Sequence, residues 1–197
     1  PYPALFRSIV FKRAGLGAAI PWHRDAGTDF TQEETYPIFN VDFYLDSADL
    51  SNCLWGIPGS NKWAPAEAQQ KINELNSKEG FGTDDTCVPI LMNPGDVIFH
   101  NILALHGSPA SQTHLRRVVY YEFRPAEIES QIGPHRPEYI PLKQKLLQRC
   151  LKHRADSAFG QGETPFTYNP DSEFTAPVLA EGEELPTYRY AHGDYWR

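Results

Sequence analysis

The chain has 197 residues, 41% hydrophobic and 13% aromatic, with a net charge of −7 and a pI near 5.5. This is the length and composition of one globular domain with a sizeable core, which excludes a disordered chain. The acidic balance argues against a nucleic-acid-binding surface, and no apolar run approaches the length of a membrane span.

Residues 4–12 are rich in β-branched and aromatic residues and read as a strand, closed by a turn at Gly15-Leu16-Gly17. Ile20 to Asp25 follows, and residues 26–35 then lack apolar periodicity and read as a surface loop. Residues 38–45 alternate, with Phe39, Val41, Phe43 and Leu45 on one face and Asn40, Asp42 and Tyr44 on the other. Two readings of that polar face stand: a wet outer surface, or the wall of a cavity. Cys53 to Ile57 is a short strand ended by the turn Pro58-Gly59-Ser60, and residues 65–79 read as a helix. Strands follow at 88–92 and 97–100, separated by the turn Asn93-Pro94-Gly95-Asp96, and the strongest strand covers 115–123. Beyond Arg124, prolines break the chain until a helix over 142–154, and the polar tail from Ala155 is expected to carry little regular structure. Many short strands punctuated by Gly and Pro, with few helices, point to a mainly β jelly roll with peripheral helices. Cys53, Cys87 and Cys150 have no paired spacing and read as free thiols in a reducing compartment.

The chemistry gathers at three places. On an extended strand His23 and Asp25 point the same way, offering one nitrogen and one oxygen. A second imidazole from a distant strand completes two histidines and one carboxylate on one side of an ion, the arrangement of non-haem iron oxygenases. His106 is the expected third ligand, with His100 its competitor; zinc accepts the same donors, so the ligands alone do not choose the metal. Arg117 lies eleven residues past His106 on an apolar strand. A buried charge there needs a partner, and a guanidinium pairs bidentately with a carboxylate. That partner is either a cosubstrate or a structural Asp or Glu. Lys12, His114, His135, His153 and His192 read as surface residues, Asp96 as a turn residue, and Arg116 as facing away from Arg117.

Pro21-Trp22-His23-Arg24-Asp25, Cys53 to Lys62, Asn93 to His100, His106-Gly107-Ser108 and Arg117 occur in an order that resembles the phytanoyl-CoA dioxygenase family of Fe(II)/2-oxoglutarate oxygenases. The resemblance covers about residues 4–124. It implies a cupin-like double-stranded β-helix, with iron held by His23, Asp25 and His106. It further implies 2-oxoglutarate anchored by Arg117 with help from Ser108, and O2 as the other cosubstrate. The implied reaction is hydroxylation of a C–H bond with release of succinate and CO2. Asp25 favours hydroxylation over halogenation, because related halogenases carry a small residue there. Two positions depart from the family's pattern: Ser111 replaces an Asn, and Asp42 replaces a Trp. With Asn40 and Tyr44, Asp42 suggests a polar pocket, and Trp22, Asn40, Asp42 and Tyr44 are the candidate substrate residues.

On this reading residues 1–197 form a single oxygenase domain, with a core over about 4–124 and a C-terminal helical and irregular extension over about 125–197. The expected partner is a small-molecule substrate, without nucleic acid or membrane. No targeting segment is recognised, and the terminal Tyr195-Trp196-Arg197 is not a peroxisomal address, so the expected location is the cytoplasm. The alternatives are a cupin-like metal-dependent hydrolase or isomerase, and a non-catalytic jelly-roll binding module.

Overall fold

The computed structural model describes residues 4–169 and 179–184. The chain forms two compact units, divided between Glu122 and Phe123. The first, from Phe6 to Glu122, holds most of β1 (Ala4–Lys12), β2 (Ile20–His23), α1 (Gln32–Thr35), β3 (Phe39–Tyr44), β4 (Leu54–Gly56), α2 (Pro65–Asn76), β5 (Val88–Ile90), β6 (Val97–Asn101), β7 (His106–Ser108) and most of β8 (Arg116–Phe123). These strands make two four-stranded sheets, ordered β1-β8-β3-β6 and β2-β7-β4-β5. The chain crosses between the sheets at nearly every connection, which is the jelly roll expected from the pattern of strands and the double-stranded β-helix that the family resemblance implies.

Along β3 the polar positions are buried, and the apolar positions are split, with Val41 at 4% exposure and Phe43 at 41%. Asn40, Asp42 and Tyr44 are all buried, with Asp42 at 0% exposure, while Phe43 and its cross-strand partner Val97 are exposed. Phe99, opposite Val41, is 71% exposed. The polar face of β3 therefore points into the interior, so of the two readings the wet outer surface is not the one found. A core rich in polar side chains is costly unless it serves a ligand.

Two apolar clusters hold the sheets in place. Tyr44, Ala48, Cys53 and Val118 pack with Met92, Ile98 and Tyr120. On the second sheet, α2 lays Ala68, Ile72 and Leu75 against Trp22, Ile57, Cys87 and Leu105. Those helix positions fall on one stripe at helical spacing, and Pro65 opens the helix where its missing N–H costs nothing. Each fully buried Ile or Leu stabilises this contact by about 1.5–3 kcal/mol. The last residue of α2, Asn76, clamps the edge strand β2: its Oδ1 accepts from the Trp22 N–H at 2.9 Å, and its Nδ2 donates to the Trp22 carbonyl at 3.0 Å.

The second unit carries α3 (Ala126–Ile132) and α4 (Tyr139–Asp156). The sequence pattern missed α3 and started α4 late, because Pro141 reads as a breaker. Pro141 instead falls in the first turn of α4, where backbone N–H groups have no helical partner. His135 is buried, not on the surface: its backbone N–H and its Nδ1–H donate to Glu129, and its ring stacks on Tyr139 at 3.8 Å. His192 and most of the expected tail lie outside the described residues. Cys53, Cys87 and Cys150 form no disulfide with one another, and among the described residues no helix is long and apolar enough to cross a membrane.

Candidate metal centre and cosubstrate pocket

β2 and β7 are neighbours and pair at Ile20 with Ser108 and at His23 with His106. β2 has one residue more than β7 between those pairs, a bulge that re-aims the strand. His23 ends β2 turned towards His106, with ring centroids 4.3 Å apart. Asp25 stands in the turn that follows, not on the strand. That turn is pinned by Arg24, whose guanidinium donates to the carbonyls of Ser60 at 2.6 Å and Trp63 at 3.1 Å. Ser60 also accepts the Leu105 N–H on its Oγ at 2.8 Å. One residue thus ties the segment bearing His23 and Asp25 to the segment bearing His106. The preceding Gly59 makes this tight turn possible, with a φ of 78° that L side chains rarely adopt.

The three donors converge. Asp25 Oδ1 lies 3.3 Å from His23 Nε2 and 3.5 Å from His106 Nε2, and all three ligand atoms are within 4.8 Å of one another. Each imidazole gives its Nδ1–H to a backbone carbonyl, His23 to Pro21 at 2.8 Å and His106 to Ala104 at 2.9 Å. That bond fixes the tautomer and leaves the Nε2 lone pair facing an ion. Ligands about 2.1 Å from an ion at right angles are about 3 Å apart, so the set fits a single divalent metal with little adjustment. Burial by itself favours the neutral acid at Asp25. The facing histidines, His106 first, outweigh it and hold the carboxyl well below its usual range. His100 is not a ligand: its Nε2 meets Asp42 Oδ2 at 3.2 Å, and its ring stands 5.0 Å from that of His106. Burial lowers the His100 pKa, but the Asp42 carboxylate more than offsets this and raises it overall.

A cationic pocket lies two residues further along β7. Lys12 Nζ donates to Ser108 Oγ at 2.6 Å and to the Pro109 carbonyl at 2.7 Å. Arg116 donates to the Asn52 carbonyl at 2.6 Å and reaches Ser108 Oγ at 3.4 Å. Ser108 Oγ thus accepts from two cations, and its own hydroxyl hydrogen remains for an incoming acceptor. Among the described residues Arg116 meets no carboxylate, although it is 0% exposed and its Nε has no partner.

This corrects two expectations. Arg117, named from the sequence as the anchor, is 40% exposed and turned outward. Its Nε and Nη2 pair bidentately with Asp46 at 2.8 and 2.7 Å, the structural carboxylate that was the alternative. Arg116 shares the inward face of β8 with Val118 and Tyr120. Lys12, expected on the surface, is 2% exposed. Trp22, a candidate substrate residue, lies on the opposite face of β2 from His23, packed on Phe81 with ring centroids 5.5 Å apart beneath α2. Asn40 is inside but spends its amide on Asp25, donating to Oδ2 at 2.7 Å. Asp42 and Tyr44 face the interior as expected. Ser111, the second departure, is buried and ties the Gly15–Gly17 turn to the chain after β7 by backbone bonds.

A family model described as Phytanoyl-CoA dioxygenase (PhyH) matches residues 4–119, which takes in all three metal donors and Arg116. The chain belongs to the phytanoyl-CoA dioxygenase family. Iron and 2-oxoglutarate are the cofactor and cosubstrate of that family, and the donor set and the cationic pocket fit both. Among solved structures, AviO1 from Streptomyces viridochromogenes Tue57 is 27% identical over 60% of this chain and 48% of that one, with a TM-score of 0.48. SnoK, a non-heme alpha ketoglutarate dependent carbocyclase from nogalamycin biosynthesis, is 16% identical over 61% and 49%, with a TM-score of 0.47. EctD from S. alaskensis with 2-oxoglutarate and 5-hydroxyectoine is 19% identical over 61% and 43%, with a TM-score of 0.45. The chain spans about half the length of these structures or less. No curated protein matches it.

Proposed function

We propose that this chain is the catalytic core of an Fe(II)- and 2-oxoglutarate-dependent dioxygenase. It hydroxylates a C–H bond of a small polar organic substrate and releases succinate and CO2. The observation that carries the reading is the placement of two features on one strand. His106 and Ser108 are alternate residues of β7. A group held at Ser108 and Arg116 therefore lies about 7 Å along the strand from the metal-facing imidazole. A short dicarboxylate would be long enough to span that gap, with its distal carboxylate held by Arg116, Lys12 and Ser108.

Bound iron supplies the activation of dioxygen and the breaking of a strong C–H bond. The chain's own residues do the rest. His23, Asp25 and His106 would hold the metal. Arg116 offers a planar guanidinium to the distal carboxylate, Lys12 a second cation, and Ser108 its hydroxyl hydrogen. Substrate polarity is supported by the interior wall. Asp42 Oδ1 and the Tyr44 hydroxyl have no hydrogen-bond partner among the described residues, which is capacity a polar ligand can use.

The test is anaerobic addition of Fe(II) and then 2-oxoglutarate, read by the visible charge-transfer band of a keto acid on iron, followed by succinate formation in air. A band that saturates with 2-oxoglutarate is expected. Iron binding with neither band nor succinate would overturn the proposal in favour of another metal-dependent chemistry.

A further inference from the structure

The two oxygens of Asp25 have different neighbours. Oδ1 faces both imidazole Nε2 atoms, at 3.3 and 3.5 Å. Oδ2 is turned away from them and accepts from Asn40 Nδ2 at 2.7 Å. The orientation of the Asn40 amide follows from chemistry, because an ionised carboxylate only accepts and the NH2 end must face it. Asn40 is itself immobilised. It is buried, it is the second residue of β3, and its backbone is in register with His100 on β6. Its reach to Asp25 is therefore set by the sheet and not by a mobile loop.

We infer that Asn40 is a positioning residue that keeps Asp25 a one-oxygen ligand, and so keeps a coordination position free for the cosubstrate. The inference rests on reading the site as a metal centre. A carboxylate can bind an ion through one oxygen or both. With one oxygen from Asp25, the three protein ligands occupy a single side of the ion, and the opposite side stays open for a chelating keto acid and dioxygen. If Oδ2 also bound, it would take one of those open positions. The Asn40 bond opposes that rotation, and bonds to an ionised acceptor are among the stronger hydrogen bonds. Nothing else among the described residues donates to Oδ2. Asn40 is thus better placed to govern the metal than to recognise a substrate, because its donor is already engaged.

The experiment uses Asn40→Leu, which keeps the approximate shape and removes the donor. Asn40→Ala removes the same donor without adding bulk, should the Leu variant not fold. Proteins carrying 13C-labelled aspartate are loaded with Fe(II) without oxygen, and infrared difference spectra are taken on metal binding. The spacing between the antisymmetric and symmetric carboxylate stretches separates one-oxygen from two-oxygen binding. The wild type is expected to give the wide spacing of a one-oxygen ligand, and the variants the narrow spacing. The dissociation constant for 2-oxoglutarate, read from its charge-transfer band, should rise roughly 10- to 100-fold in the variants, the usual weight of a group that orients a metal ligand. A folded variant that keeps the wide spacing and binds 2-oxoglutarate as the wild type does would overturn the role of Asn40 and leave the metal centre standing. Failure of the wild type to bind Fe(II) would overturn both.

Discussion

Replacing Arg116 by Gln tests the assignment of the cosubstrate anchor, because Arg117 offers a matched control one residue away. Arg116 is fully buried and, among the described residues, holds only the Asn52 carbonyl and a long contact to Ser108. Its charge therefore awaits an anion. Truncating one member of a buried charged pair costs about 2–5 kcal/mol. At about 1.4 kcal/mol per tenfold, that is a 30-fold to several-thousandfold rise in the dissociation constant. Lys12 shares the pocket and offsets part of the loss, which places the expectation near the lower end. Arg117→Gln breaks a partly exposed pair with Asp46, and solvent screening keeps the cost to stability small. It should leave cosubstrate binding within about twofold. The assay is anaerobic titration of the Fe(II) protein with 2-oxoglutarate, alongside urea melts of each variant. If Arg117→Gln weakened 2-oxoglutarate strongly while Arg116→Gln did not, the strand-face assignment would be refuted.

Three further outcomes are expected. Burial, and then the charge of Arg116, push the Lys12 ammonium down to about 7. Its folded value is thus below the unfolded one, near 10.4, so the unfolded chain holds more protons between the two and this contribution to stability grows with pH and is lost as pH falls through about 7. Urea melts at pH 7 to 9 should show this growth in the wild type relative to Lys12→Met, and parallel curves would rule it out. A bound carboxylate favours the ammonium form, so the 2-oxoglutarate constant should rise above about pH 7, by at most about tenfold per unit, and lose this slope in Lys12→Met. Ser108→Ala removes the one hydroxyl that both cations share and should weaken 2-oxoglutarate about tenfold, with Fe(II) affinity unchanged; an unchanged cosubstrate constant would remove Ser108 from the pocket. At Gly107 an added Cβ would sit 2.9 Å from the Phe81 ring and 3.0 Å from the Ile20 carbonyl. Gly107→Ala should therefore cost about 1–3 kcal/mol by overpacking, read by urea melts, and displace the strand that carries His106.

The sequence by itself determined the family and most of the strands. Period-two alternation located β3 and sorted its faces, and the ordered motifs from His23 to Ser108 named the donors that the structure brings together. These signals are local, since each depends on residues a few positions apart in one strand or turn. What the sequence left undecided was the direction in which each face pointed. The polar side of β3 faces the interior, while on its apolar side Phe43 is exposed and Val41 is buried. Arg116 and not Arg117 faces inward, and Trp22 lies beneath α2. In a strand the facing side flips with every residue, so a loop one residue longer, or a bulge like that in β2, reverses an assignment made by counting along the chain. The bonds from Asn40 to Asp25, from Lys12 to Ser108 and from Arg24 to Ser60 join residues on different segments. Only the pairing and stacking of the two sheets could bring those partners together.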